Sequence, residues 1–131
     1  MRDINYLAVV VAAVMAFVLS TAWYIGFAKQ RADLSPAAVA DMKKPQPLKM
    51  LIEVVRNIVL AYVLAYLVTR LGVADWPSAI RFGLLAWIGF PVLLLTGSVM
   101  WENVPWKLAC IHAGDWLVKI LLMVSILSRW R

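Results

Sequence analysis

The chain of 131 residues is long enough for one domain. Hydrophobic residues make up 64% of it and charged residues only 15%, against roughly 45–50% and about 25% in a soluble domain. The net charge of +6 comes largely from cations at the ends of apolar blocks, and no nucleic-acid-binding motif is present, so we expect lipid head groups rather than nucleic acid as partners.

Four apolar blocks follow one another along the chain, at residues 4–27, 50–69, 82–101 and 108–128. Each holds about 20 residues or more, and an α-helix of that length crosses a hydrocarbon core of about 30 Å. The alternating segments of about ten residues that are typical of membrane β-barrels do not occur. We therefore expect an all-α fold, with a single transmembrane domain over residues 1–131 that forms a bundle of four transmembrane helices.

The first block also has features of a signal peptide. Arg2 precedes an apolar run, and Ser20-Thr21-Ala22 places small residues where a signal peptidase would cut. The apolar run continues through Phe27, however, and is long enough to span a bilayer. We expect this block to remain in the protein as the first transmembrane helix.

Turn-forming residues separate the blocks. Within the 28–49 loop, Pro36 is placed to begin a short interfacial helix that runs through Met42. Asp75-Trp76-Pro77-Ser78 marks the second turn and Glu102-Asn103-Val104-Pro105 the third. Tryptophan side chains favour the head-group zone, and five of the seven lie at block ends, namely Trp23, Trp76, Trp101, Trp106 and Trp130.

Four spans place both termini and the 70–81 turn on one side of the membrane, and the 28–49 and 102–107 loops on the other. The positive-inside rule does not orient this arrangement, because five basic residues face six. The first side has Arg2, Arg70, Arg81, Arg129 and Arg131, and the second has Lys29, Arg31, Lys43, Lys44, Lys49 and Lys107.

Three segments carry a resemblance to a known family. Residues 5–29, "NYLAVVVAAVMAFVLSTAWYIGFAK", run from an Asn through an Ala/Val-rich helix to Trp-Tyr, Phe and Lys. Residues 83–95, "GLLAWIGFPVLLL", contain a Trp-x-Gly-Phe element, and residues 107–123 are "KLACIHAGDWLVKILLM". Together they resemble the small bacterial membrane proteins of domain-of-unknown-function family 1761. The positions that match are Asn5, Trp23, Tyr24, Phe27, Lys29, Trp87, Gly89 and Phe90.

The resemblance implies four transmembrane helices in a bacterial inner (cytoplasmic) membrane. It brings no established activity and no site residues. The chain departs from the family pattern at Ser20-Thr21, where relatives tend to have a glycine, and at Arg31, where they often have a second tryptophan.

The last block carries charged side chains within its apolar run, "IHAGDWLVKI" (residues 111–120). His112, Asp115 and Lys119 lie along one helix face. Lys119 is about halfway along the block, too deep to extend easily to either interface, and a central Asp or Lys costs about 2.5–3.5 kcal/mol. These charges therefore need partners. Asp115 and Lys119 are spaced i,i+4 with the acid first, so they can pair on their own helix.

The second block offers further partners, because Glu53, Arg56 and Asn57 share a face at a similar depth. We expect Arg56 to pair with Asp115 and Glu53 to lie near His112. Polar residues of the other two blocks reach the same half of the membrane, namely Ser20, Thr21, Thr96 and Ser98. The predicted polar intramembrane cluster comprises Glu53, Arg56, Asn57, His112, Asp115 and Lys119.

This cluster predicts a polar pocket or half-channel that opens toward the 28–49 loop and is closed by apolar packing beyond Lys119. Buried ionisable groups in membranes mark proton relays, ion paths or polar substrate sites, which favours a small transporter or channel-like protein with a proton-relaying cluster. The alternative is a non-catalytic accessory or scaffold subunit whose buried charges only fix helix packing or oligomerisation. His112 is open to both interpretations, as a relay or as a simple hydrogen-bonding group.

An enzyme is not expected, since the sequence has no nucleophile elbow or phosphate-binding glycine loop. No cofactor or metal is expected either, because His112, Asp115 and Glu53 offer too few ligands. Four short helices make a thin bundle, so we expect a homo-oligomer or a partner membrane protein. Small residues at i,i+4 supply faces for close helix packing, at Ala8, Ala12, Ala16, Ala61, Ala65, Ala79, Gly83, Ala109 and Ala113.

Overall fold

The computed structural model describes residues 4–34 and 47–130, and every regular element in these ranges is helical. The elements are α1 (Tyr6–Gly26), α2 (Ala28–Leu34), α3 (Pro47–Leu71), α4 (Trp76–Trp87), a π-helical turn (Ile88–Val92), α5 (Leu93–Trp101) and α6 (Trp106–Arg129). The α4 helix, the π-helical turn and α5 form one continuous third span, Trp76–Trp101. This span, α1, α3 and α6 are each long and apolar enough to cross a membrane, which confirms the predicted all-α fold with four spans.

The third span begins six residues earlier than predicted, at Trp76 instead of residue 82. The Asp75 carboxylate caps the helix by accepting the backbone N–H of Ser78 at 3.3 Å, and Pro77 stands in the first turn, where a helix needs no N–H donor. Hydrogen bonds from Ser78 also lower the pKa of the Asp75 carboxyl below its ordinary value. The tetrapeptide predicted as a turn is therefore a cap and the first helical turn.

The preceding turn is tight because α3 ends in a Schellman motif. Gly72 has a φ of +67°, which a residue without a Cβ adopts at little cost. The N–H of Val73 donates to the carbonyl of Val68 at 3.0 Å, and the N–H of Gly72 donates to that of Thr69 at 3.4 Å. On the opposite side of the membrane, α1 is followed almost directly by α2, an unpredicted helix. The interfacial helix predicted from Pro36 to Met42 lies outside the described residues.

The π-helical turn in the third span surrounds Pro91, which is buried. A proline inside a helix lacks the N–H that would bond the carbonyl four residues earlier, and its ring clashes with that carbonyl. A wider π-type turn accommodates this local defect without ending the helix. The span therefore continues as one rod through α5.

The α6 helix is the centre of the bundle, since α1, α3 and α4 all pack against it and α1 also packs against α3. Most of the predicted small residues are used in these contacts, because Ala8, Ala12, Ala16, Ala61, Ala65, Ala79, Gly83 and Ala109 are all buried. Close helix approach thus serves packing within one chain.

The packing is tight only in one half of the bundle. The buried residues of α3 begin at Asn57 and continue through Val68, whereas residues 47–56 of the same helix are exposed or half-buried. The apolar core, which includes Val68, Met123 and Val124, lies in the half nearest the two termini. Within residues 4–34 and 47–130, the half that contains α2 and the first turns of α3 is correspondingly less tightly packed.

Two tryptophan side chains fix α6 between its neighbours. The indole N–H of Trp23, on α1, donates to the carbonyl of Ile111 at 3.0 Å, and that of Trp87, on α4, donates to the carbonyl of Ala113 at 2.8 Å. Trp23 was predicted to be an interfacial anchor, but it is half-buried against Gly114. The missing side chain of this glycine leaves the space that the indole ring fills.

We expect Gly114→Ala to destabilise the bundle by about 1–3 kcal/mol, because the added methyl group would overlap the six-membered ring of Trp23, which cannot move without breaking its hydrogen bond. Unfolding in detergent measures the change. Gly97→Ala is the control, since its Cβ would meet open space, and it should match or slightly exceed wild type. Equal stability of the two variants would contradict this role for Gly114.

Candidate functional site in the open half of the bundle

The Asp115 carboxylate is the centre of a polar cluster between α1 and α6. Its Oδ1 accepts the hydroxyl of Ser20 at 2.6 Å, and its Oδ2 accepts the hydroxyl of Tyr24 at 3.3 Å. The ammonium group of Lys119 lies 3.5 Å from the same Oδ2. Two helices therefore supply the groups that compensate one buried negative charge.

Lys119 is as deeply buried as Asp115, with 4% of each side chain exposed. Besides the carboxylate, its ammonium nitrogen faces the ring of Trp116 at 4.1 Å from the centroid, a cation–π contact. The predicted i,i+4 pair of Asp115 and Lys119 is confirmed. The aromatic ring compensates the remaining positive charge on the same helix.

Tyr24 links this ion pair to His112. The Tyr24 hydroxyl lies 2.7 Å from Nδ1 of His112, and the two rings are 5.6 Å apart. A hydroxyl has one hydrogen to donate, so when Tyr24 donates to Asp115 it accepts from His112 Nδ1–H. The result is a continuous hydrogen-bonded path from His112 through Tyr24 to Asp115.

Arg31, on α2, covers the outer side of Tyr24. Its guanidinium carbon lies 4.5 Å from the centroid of the tyrosine ring. The Nε of Arg31 is fully buried and has no hydrogen-bond partner among the residues that the structure describes. A guanidinium donates through N–H groups in its own plane, so stacking on Tyr24 leaves these donors directed away from the ring.

The predicted pairing of Arg56 with Asp115 is wrong. Arg56 forms its ion pair with Glu53, one turn earlier on α3, at 2.7 Å, and 58% and 36% of the two side chains are exposed. Asn57 is buried and donates to the carbonyl of Glu53 at 3.0 Å. The carboxylate of Asp115 is already occupied by α1 and α6, and the first turns of α3 do not pack against them.

Some of the other polar residues reach the Asp115 cluster and others form hydrogen bonds elsewhere. Glu53, which was predicted to lie near His112, lines the same cavity, and the hydrogen-bond partner of His112 is Tyr24. Thr96 and Ser98 donate to carbonyls of their own helix and do not reach the cluster. Ser20 does reach it, although the hydroxyl of neighbouring Thr21 returns to the carbonyl of Phe17.

A cavity of about 950 Å³ lies beside the cluster. Residues of α1, α2, α3, α5 and α6 line it, and they include five of the six predicted cluster residues, Glu53, Arg56, His112, Asp115 and Lys119. The predicted pocket in this half of the bundle is thus present, with walls that are more apolar than expected. Sequence reasoning missed Tyr24 and Arg31 as lining residues. Tyr24 follows Ser20 at i+4, so the shared helix face was a usable signal.

The donor set does not point to a metal. Within residues 4–34 and 47–130, no three His, Cys, Asp or Glu side chains are grouped so that they could hold a metal ion. The groups of the site that can bind a ligand or move a proton are its ion pair, its hydrogen-bonded path and its guanidinium.

The fold and the site together define a multi-pass α-helical membrane protein with a charged cavity in one half of its bundle. The sequence model of the family described as "protein of unknown function (DUF1761)" matches residues 7–128, so the chain belongs to this family and the resemblance is confirmed. No curated protein and no solved structure matches the chain.

We expect Asp115→Asn to lower the free energy of unfolding by about 3 kcal/mol or more, because it leaves the buried Lys119 charge without its counter-ion. The double variant Asp115→Asn/Lys119→Met removes both charges and should recover at least half of that loss. Detergent unfolding of wild type, both single variants and the double variant measures the coupling. Losses that simply add would show that the pair makes no energetic contact.

Proposed function

We propose that this protein is a small transporter-like membrane protein whose cavity admits a polar or charged solute and whose cluster relays protons. The supporting observation is that the cavity is lined by the Asp115–Lys119 ion pair itself, deep within a membrane-spanning helix. A purely structural ion pair does not need a cavity beside it. Ionisable groups at this depth are costly, and their usual roles in membranes are in solute and ion movement.

The proposed relay runs along the hydrogen-bonded path. His112 first takes up a proton on Nε2 and becomes an imidazolium. It then releases the proton on Nδ1 to the Tyr24 oxygen as the Tyr24 hydroxyl proton passes to Asp115 Oδ2, so that Tyr24 is unchanged, His112 is left as the neutral Nε2–H imidazole and Asp115 has gained one proton. A neutral Asp115 no longer attracts Lys119. Because the pair lines the cavity, its charge state then affects the entry of a charged solute, and no enzymatic step is needed.

The proposal places the protein in a bacterial inner membrane as a homo-oligomer or beside a partner membrane protein. The third span packs mainly on α6 and leaves a broad apolar face that suits contact with lipid or with a partner helix. The large side chains of this face are more than 60% exposed, namely Leu85, Phe90, Leu93, Leu94, Met100 and Trp101. The second candidate function is an accessory subunit in which the ion pair only fixes α1 against α6, and the near-complete burial of the pair and its hydrogen bond to Ser20 favour it.

Proton flux into liposomes separates the two functions. Tyr24→Phe removes the hydroxyl of the relay but keeps the ring on which Arg31 stacks, so we expect flux to fall at least about tenfold. Tyr66→Phe is the matched control, because Tyr66 stacks under Arg70 at the other end of α3, away from the cavity, and it should match wild type.

The readout is a pH-sensitive dye inside the liposomes under an imposed membrane potential. Equal flux in wild type and Tyr24→Phe, at whatever level, would remove the transport function and favour the accessory one. Equal thermal stability of the two tyrosine variants establishes that a loss of flux is not a loss of fold.

A further inference from the structure

We propose that the cavity binds an amphiphile with one anionic head group, a carboxylate or a phosphate, and that Arg31 holds this head group. The inference rests on the proposed function, since it names the chemical class of the solute. Three observations carry it: the size and walls of the cavity, the balance of charge along its lining, and the geometry of the Arg31 guanidinium.

The size of the cavity suits a ligand much larger than an inorganic ion. Its volume of about 950 Å³ is at the upper end of the range of roughly 300–1,000 Å³ for small-molecule sites. The lining extends along α1 from Phe17 to Ile25, a distance of about 12 Å at the rise of an α-helix. Such a length matches a hydrocarbon chain.

The walls are suited to that chain. Much of the lining comes from apolar side chains on four different helices, namely Phe17, Ile25, Met50, Leu95 and Trp116. Polar and charged side chains of α1, α2, α3 and α6 complete the lining. A site with both apolar and charged walls suits a molecule that has an apolar chain and a charged group.

The charge of the lining favours an anion. Two acidic residues line the cavity, Glu53 and Asp115. Both acids already have a basic partner, Arg56 for Glu53 and Lys119 for Asp115. In the described part of the chain no carboxylate forms an ion pair with Arg31, so its positive charge faces the cavity without a counter-charge there.

The guanidinium geometry fits a carboxylate or phosphate. One face of Arg31 is covered by the Tyr24 ring, and its buried Nε–H has no acceptor within the residues described. The two terminal Nη groups of a guanidinium can donate together to two oxygens of one anion. The site is therefore preorganised for a head group with two oxygens.

Binding of oleate and of oleyl alcohol, which share one hydrocarbon chain, tests the proposal on the full-length protein in nanodiscs of zwitterionic lipid. By calorimetry we expect oleate to bind at least about tenfold more tightly than the alcohol. Arg31→Gln should weaken oleate binding at least about tenfold, and Arg31→Lys should weaken it less. Arg70→Gln, which removes the arginine stacked on Tyr66 outside the cavity, should bind as wild type does.

Competition assigns the source of the ligand. Dodecyl phosphate should displace oleate, whereas inorganic phosphate, which lacks the apolar chain, should not. If phosphatidylglycerol added to the nanodiscs also displaces oleate, the anionic head group comes from the bilayer. If it does not, the natural ligand is a soluble amphiphile, and both results support the site.

Equal affinity for oleate and oleyl alcohol would overturn the proposal, as would equal oleate binding by Arg31→Gln and Arg70→Gln. If Arg31→Gln does not fold, the ratio of the affinities for oleate and oleyl alcohol is compared between wild type and Arg31→Lys. A lower ratio in Arg31→Lys supports the proposal, and an equal ratio overturns it. If amphiphile binding is disproved but Tyr24→Phe still lowers proton flux, the proposed function remains in place. Intact oleate selectivity with unchanged flux in Tyr24→Phe would instead leave a binding site without transport.

Discussion

Ionised side chains in the hydrocarbon core of a membrane need partners that compensate their charge, and the arrangement of this bundle follows from that constraint. Asp115 and Lys119 lie well inside the last span, where each charge is costly unless it is paired and hydrogen-bonded. The chain meets the cost with a hydroxyl from Ser20, a second from Tyr24 and the ring of Trp116. Since two of these groups stand on α1, satisfying the charges also fixes α1 against α6.

The remaining helices divide the membrane into two unlike halves. Toward the termini, small residues such as Ala12 and Ala61 let α1, α3 and α6 approach closely and close the bundle. Toward the other side, Glu53 and Arg56 pair with each other on α3 and line the cavity beside α6. Buried charge and cavity therefore occupy the same half of the bundle, and we propose on this basis that the polar cluster does more than fix helix packing.

Much of this was predictable from the sequence, because the signals were local or set by length. Four apolar blocks give four spans, and i,i+4 spacing gives the Asp115–Lys119 pair. Depth along a helix, however, fixes only the height of a side chain and not the direction in which it points. Arg56 pairs instead with Glu53, one turn earlier on the same helix. The roles of Tyr24 and Arg31 depend on where α2 packs in the fold. The hydrophobic periodicity of the sequence does not predict that position.

We expect Asp115 to be an ionised carboxylate at rest, held by Ser20, Tyr24 and Lys119. Infrared difference spectroscopy of protein labelled with carboxyl-¹³C aspartate, wild type minus Asp115→Asn at neutral pH, observes this group directly. The difference spectrum should show the loss of an ionised-carboxylate band that is insensitive to solvent deuteration. Loss of a protonated carboxylic-acid band in its place would show that Asp115 is neutral, and Lys119 would then lack the counter-ion that we assign to it.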